Sequence, residues 1–93
     1  MARVTRTITS SSQFTDPVKL SGYFNLSVSG TWTGTLTVQR SFDLGNTWLD
    51  VDTFTANTEE YGLEPEHTNV VLYRIGAKVD ALTSGSAILR LSQ

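Results

Sequence analysis

The chain has 93 residues, with no cysteine, one histidine, two prolines and seven glycines. Its length suits one domain, whose folding buries roughly 60–65% of the unfolded surface; the missing cysteines exclude disulfides, a thiolate nucleophile, iron–sulfur clusters and cysteine zinc sites. Seven Lys and Arg against nine Asp and Glu leave a net charge of −2, and the cations are dispersed along the chain, so no phosphate-neutralising surface for nucleic acid is expected.

His67 is the single histidine, which removes multi-histidine metal sites and leaves one candidate for any histidine-dependent catalytic triad. No apolar run approaches the ~20 residues of a membrane span. The N-terminus leads into a Ser and Thr tract instead of an apolar signal core, so a protein made in a cytoplasm, with no membrane partner, is expected.

Threonine alternates with larger residues in several stretches, which fits pleated strands and disfavours helix. A first strand is predicted over residues 4–9, within a segment, 1–13, that also reads as an extended N-terminal arm able to add to a neighbouring sheet. A short edge element follows Pro17 at 18–20. Residues 23–29 place Phe24, Leu26 and Val28 on one face and Tyr23, Asn25 and Ser27 on the other. Gly30 and Gly34 bracket a connection that puts Trp32 at a hairpin tip. Strands are predicted at 35–42 and 48–55, the second with Asp50 and Asp52 together on one polar face, near Asp43. That pairing is read as a solvated surface, with calcium binding as the rival.

Residues 56–69 are polar, and Glu59, Glu60, Glu64, Glu66 and His67 are expected in an exposed loop where solvation is the default over acid–base chemistry. Residues 70–79 form the longest apolar strand. Ser84, Gly85 and Ser86 are read as a turn before a final strand at 87–91. Seven to eight short strands separated by turn signals give an all-β, single antiparallel sandwich across 1–93, either immunoglobulin or fibronectin-like or a jelly roll. Tyr73 could serve as a tyrosine corner, its ring buried and its hydroxyl bonded to upstream backbone.

Ser41, Asp43, Gly45, Thr47 and Trp48 fit S-x-D-x-G-x-T-W at every fixed position, so this segment resembles the Asp-box hairpin of sialidases and related β proteins. A carboxylate can collect turn amides, glycine supplies positive φ and the indole can cover the hairpin base. In that family the box is a folding device away from the active site. A sialidase-type propeller needs several blades of about 40–45 residues, so one box in this chain implies structure and not glycoside hydrolysis.

Tyr23, Trp32 and Tyr61 are the candidate exposed aromatics, suited to stacking on sugars or anchoring an interface. The whole succession from about Leu20 onward, through Gly30 to Thr35, Val38 to Asp43, Trp48 to Val51 and Tyr73 to Gly76, is similar to small β-sandwich proteins of tailed-bacteriophage particles. That resemblance implies a non-enzymatic virion protein without cofactor, most simply a capsid decoration protein. It would be assembled in the host cytoplasm as a homo-oligomer on the major capsid protein or another virion protein. A neck or tail component, a carbohydrate-binding module and a fibronectin-like spacer are the alternatives.

Overall fold

Period-two alternation of β-branched and apolar residues with polar ones governs the backbone. The computed structural model describes residues 2–64 and 70–93, and among them every regular element is a strand: β1 (Arg3–Ile8), β2 (Gln13–Phe14), β3 (Val18–Lys19), β4 (Gly22–Gly34), β5 (Leu36–Ser41), β6 (Leu49–Phe54), β7 (Thr58–Glu64), β8 (Leu72–Ala77) and β9 (Leu82–Ser92). All pair antiparallel. One sheet has the order β1-β9-β4-β7 and the other β2-β8-β5-β6, with β3 also on β8.

β2 and β3 run along one edge of β8, opposite Ala77 and Gly76, then Tyr73 and Leu72. They therefore act as one strand interrupted near Pro17, which has no N–H to give a ladder. From that composite strand onward, consecutive strands cross between sheets, except for the β5–β6 hairpin. This order is the jelly roll, two Greek keys folded face to face, and not the immunoglobulin or fibronectin arrangement.

The core lies between the sheets. Phe24, Leu26 and Val28 of β4 and Ala87, Leu89 and Leu91 of β9 face Leu36 and Val38 of β5 and Tyr73, Ile75 and Ala77 of β8, all buried. Leu20 and Val71, just outside β3 and β8, close one end.

Four sequence expectations change. The arm expected over 1–13 is not free where the structure describes it: β1 pairs with β9 over six positions, Ile8 is fully buried, and Arg6 Nη1 donates to Phe14 O at 2.6 Å. A free arm would return Ile8 to water. Gly30 and Gly34 do not bracket a tip, because β4 continues through them with Thr31, Trp32 and Thr33 opposite Ser86, Gly85 and Ser84 of β9. By the same pairing Ser84, Gly85 and Ser86 lie inside a strand, and the chain turns instead at 78–81, where Asp80 takes φ 59° and Ala81 N bonds Lys78 O at 3.1 Å. The acidic segment is not a loop through Glu64: Glu59, Glu60 and Glu64 belong to β7, which pairs with β4 from Gly22 to Val28. Glu66 and His67 lie outside the described residues.

Gly85 is explained by close approach. A Cβ there would stand 2.2 Å from Thr31 O and 2.7 Å from Trp32 Cα, on a residue with φ +89°. Gly22, at φ +73°, has nothing within 4 Å of a built Cβ. Gly85→Ala should therefore cost about 3 kcal/mol or more in urea unfolding, and Gly22→Ala only the ~1–2 kcal/mol of a left-handed residue.

Candidate functional site

The segment after β5 is a closed polar turn. Ser41 is fully buried. Its hydroxyl donates to Asp43 Oδ1 at 2.8 Å and accepts the Gly45 amide at 2.9 Å, while Asp43 Oδ1 also accepts the Thr47 amide at 2.8 Å. Leu44 and Gly45 take φ 60° and 92°, two successive left-handed residues that reverse the chain. The Ser41 hydroxyl first, then the Thr47 amide, hold the Asp43 carboxyl below its ordinary value of 3.8. The Trp48 ring lies 3.6 Å from where a Gly45 Cβ would be.

Trp48 reaches beyond the turn. The Arg74 guanidinium sits 4.3 Å from its ring centroid and 4.2 Å from that of Phe14, so a cation is held between two aromatic faces. Arg74 Nε donates to Gln39 Oε1 at 2.9 Å, Gln39 Nε2 donates to Asp50 Oδ1 at 2.9 Å, and Lys78 pairs with Asp50 Oδ2. This layer covers the outer face of β5 and leaves Thr37 and Gln39 buried. Lys78 first, then Gln39, lowers the Asp50 pKa. No local motif marks Phe14, Gln39 and Arg74; the signal the sequence holds is that Arg74 alternates with the buried Tyr73 and so must leave the core face.

Asp50 and Asp52 do not share a face. The β5–β6 register shifts between Val38, opposite Asp52, and Gln39, opposite Asp50, so a bulge at Val51 breaks the alternation. Asp50 joins the outer layer, and Asp52 turns to the rim of the core and accepts the Thr53 amide at 2.8 Å. Among the described residues, no three Asp, Glu or His side chains gather as a cation site.

Glu64 is fully buried, ion-paired with Arg40, and accepts the Tyr73 hydroxyl at 2.9 Å. Tyr73 thus buries its ring as expected of a tyrosine corner but bonds a carboxylate nine residues upstream instead of backbone. Burial, and then the hydrogen bond to Glu64, pushes its phenol up to about 12. Arg40 also lies 4.5 Å from the Phe42 ring centroid.

The three nominated aromatics separate. Trp32 packs against the core and donates Nε1 to Asn57 Oδ1 at 2.8 Å, so it is a packing residue and not an exposed platform. Tyr23 and Tyr61 stand 67% and 74% exposed on the outer face of the β1-β9-β4-β7 sheet, with ring centroids 5.9 Å apart. Beside them a groove of about 430 Å³ is lined by Asn25, Ser27, Glu59, Tyr61, Arg90 and Ser92. Around the sheet edge, a crevice of about 100 Å³ opens between β6 and β7. Phe24, Leu26, Val38 and Phe54 line it together with Val51, Leu63, Asp52 and Glu60.

Two titrations probe this network. A depressed Asp43 pKa means stability present above 3.8 and lost as pH falls through the lower folded value. In Asp43→Asn the acid-side decline of the urea midpoint should shrink, while the wild type keeps it. The raised Tyr73 pKa works in the opposite sense, contributing stability below pH 10 that is lost as pH rises toward about 12. Alkaline unfolding of Tyr73→Phe should show a shallower decline over that window, and its difference absorbance should lack the highest phenolate step. Comparison of the chain with protein families, with curated proteins and with solved structures finds no match.

Proposed function

We propose that this chain is a non-enzymatic structural protein of a bacteriophage particle, a decoration protein that binds the outer shell as a symmetric oligomer. The observation that carries this reading is the open side of the sandwich. β6 and β7 are outermost in their sheets, and both line the same crevice. Leu49 and Val51 on β6 and Leu63 on β7 are each about half exposed, at 49%, 49% and 52%. Apolar side chains grouped on two neighbouring edges, beside a crevice floored by Phe24, Leu26, Val38 and Phe54 and rimmed by Asp52 and Glu60, are the kind of surface a protein partner covers.

A repeating shell suits such a surface. Each copy of a small domain contributes a modest interface, and symmetric neighbours multiply it. Jelly rolls are common in capsid and lectin domains, which supports the reading at the level of architecture alone. The cysteine-free chain also suits a protein assembled in a reducing compartment and then exposed to oxidants.

Quantitative mass spectrometry of purified particles tests the proposal. A copy number near that of the major capsid protein is expected; about six to twelve copies would move the protein to the neck or tail, and absence would overturn the virion reading. With purified shells, Leu63→Asp and Val51→Asp should each weaken binding at least about tenfold, because they place a charge in a desolvated contact. Circular dichroism should remain that of the wild type, since both side chains are half exposed. Unchanged shell binding by both variants would remove the crevice edge from the interface.

A further inference from the structure

We infer that the outer face of the β1-β9-β4-β7 sheet carries a saccharide-binding groove that takes a neutral pyranose chain, stacked on Tyr61 and flanked by Tyr23. This site adjoins the shell-binding edge and shares Tyr61 with its crevice, but it lies on the face of the sheet, over Asn25, Ser27, Arg90 and Ser92, which the crevice does not use.

The placement follows from register. Phe24, Leu26 and Val28 point into the core, so Tyr23, Asn25 and Ser27 of β4 must point away from it. Asn25 lies opposite Tyr61 of β7 on one side and Ser92 of β9 on the other; Ser27 lies opposite Glu59 and Arg90 in the same way. Two parallel rows of side chains therefore cross the sheet and form the floor and walls of the groove. Its volume, about 430 Å³, falls within the roughly 300–1,000 Å³ of ligand sites.

The chemistry of the lining selects the ligand. A pyranose presents an apolar C–H face and a rim of hydroxyls, each both donor and acceptor. Tyr61 is 74% exposed and lines the groove, and Tyr23, tilted 56° to it with ring centroids 5.9 Å apart, stands next to it beside the groove. Around them Arg90 supplies donors, Glu59 supplies acceptors, and Asn25, Ser27 and Ser92 supply both. The sugar's hydroxyls could thus be satisfied from either direction. Charge narrows the class further. Glu59 stands against the single guanidinium of Arg90, while Glu60, opposite the core-facing Leu26, belongs to the inner side of the sheet, so the outer lining offers no excess of positive charge to draw a phosphate, a nucleic acid or a polyuronate. A neutral sugar needs none.

On the opposite sheet the rings of Phe14 and Trp48 are already engaged by Arg74, which is also bonded to Gln39.

Affinity electrophoresis of the full chain tests the inference, using native gels that contain dextran, hydroxyethyl cellulose, galactomannan or laminarin, with heparin and alginate as polyanionic counterparts. Retardation by at least one neutral polymer is expected. Tyr61→Ala should weaken it by about tenfold or more, whereas Tyr61→Phe, which keeps the ring face, should stay within about threefold of wild type. Asn25→Ala should weaken retention with the fold unchanged, as judged by its thermal midpoint. No retardation in any neutral gel would overturn the inference. So would retention by heparin or alginate alone, or neutral-polymer retention that survives Tyr61→Ala. Shell binding by Asn25→Ala, a residue of the groove and not of the crevice, is measured separately and keeps failure here distinguishable from failure of the virion reading.

Discussion

The enclosure of Arg74 between Phe14 and Trp48 is the contact on which the arrangement of this molecule turns. β5 is central in its sheet, and its outer face would meet water unless something covered it. A 93-residue jelly roll has no third layer to do so. An arginine held between two rings solves the problem, because the guanidinium is weakly hydrated, stacks on aromatic faces and still donates in its own plane. Its bond to Gln39 carries on to Asp50 and Lys78, tying β8, β5 and β6 together. The aromatic partners come from far apart in sequence. Phe14 belongs to the fragmented strand β2, and Trp48 to the end of the turn that begins at Ser41. The polar turn thus has a purpose beyond reversing the chain, since it fixes the place from which Trp48 covers Arg74.

A second polar cluster works on the inner side of the same sheet. Glu64 ends β7 in one sheet, while Arg40 and Tyr73 belong to the other, so the ion pair and the hydroxyl bond join the sheets at one end of the core. A buried carboxylate is costly unless paired and hydrogen-bonded, and here both conditions are met. The two clusters divide the molecule. The β2-β8-β5-β6 sheet has its outer face occupied by its own side chains, whereas the other sheet presents Tyr23, Tyr61 and a polar groove to solvent. The two proposed binding surfaces are therefore the outer face of the β1-β9-β4-β7 sheet and the open edge beside it.

Much of this was legible in the sequence, for reasons that can be named. Alternation in 23–29 placed Phe24, Leu26 and Val28 in the core because a strand with one wet face must separate its residues by parity. The spacing from Ser41 to Trp48 identified the turn, since few residues tolerate its left-handed backbone. What escaped were features set by partners distant in the chain. Gly30, Gly34 and Gly85 read as turn residues, yet each lies in a strand at a close backbone crossing, which local pattern cannot distinguish from a bend. The bulge at Val51 separated Asp50 from Asp52, and a parity argument fails at any bulge. Glu64 looked solvated because nothing near it in sequence announced Arg40 as its partner. Tyr23 and Tyr61, by contrast, were found by type alone, and their adjacency required the β4–β7 register.

The edges constrain how copies of this protein can meet. β1 and β7 bound one sheet, and β6 and the β2–β3 pair bound the other, so neither sheet closes on itself. Unpaired edges invite further strands, yet β7 carries Glu59 and Glu60, and β6 carries Asp50 and Asp52 about a bulge. Adding an identical strand to either edge would bring like carboxylates together, and the bulge spoils the ladder on β6 as well. β1 is already committed to β9, so it cannot be donated to a neighbour without exposing Ile8. Association through backbone ladders is thereby disfavoured on these edges, while the apolar side chains of Leu49, Val51 and Leu63 remain available. Assembly that proceeds by side-chain packing is specific to the shape of its partner, and that is the form of contact a protein placed at a defined site on a larger surface requires.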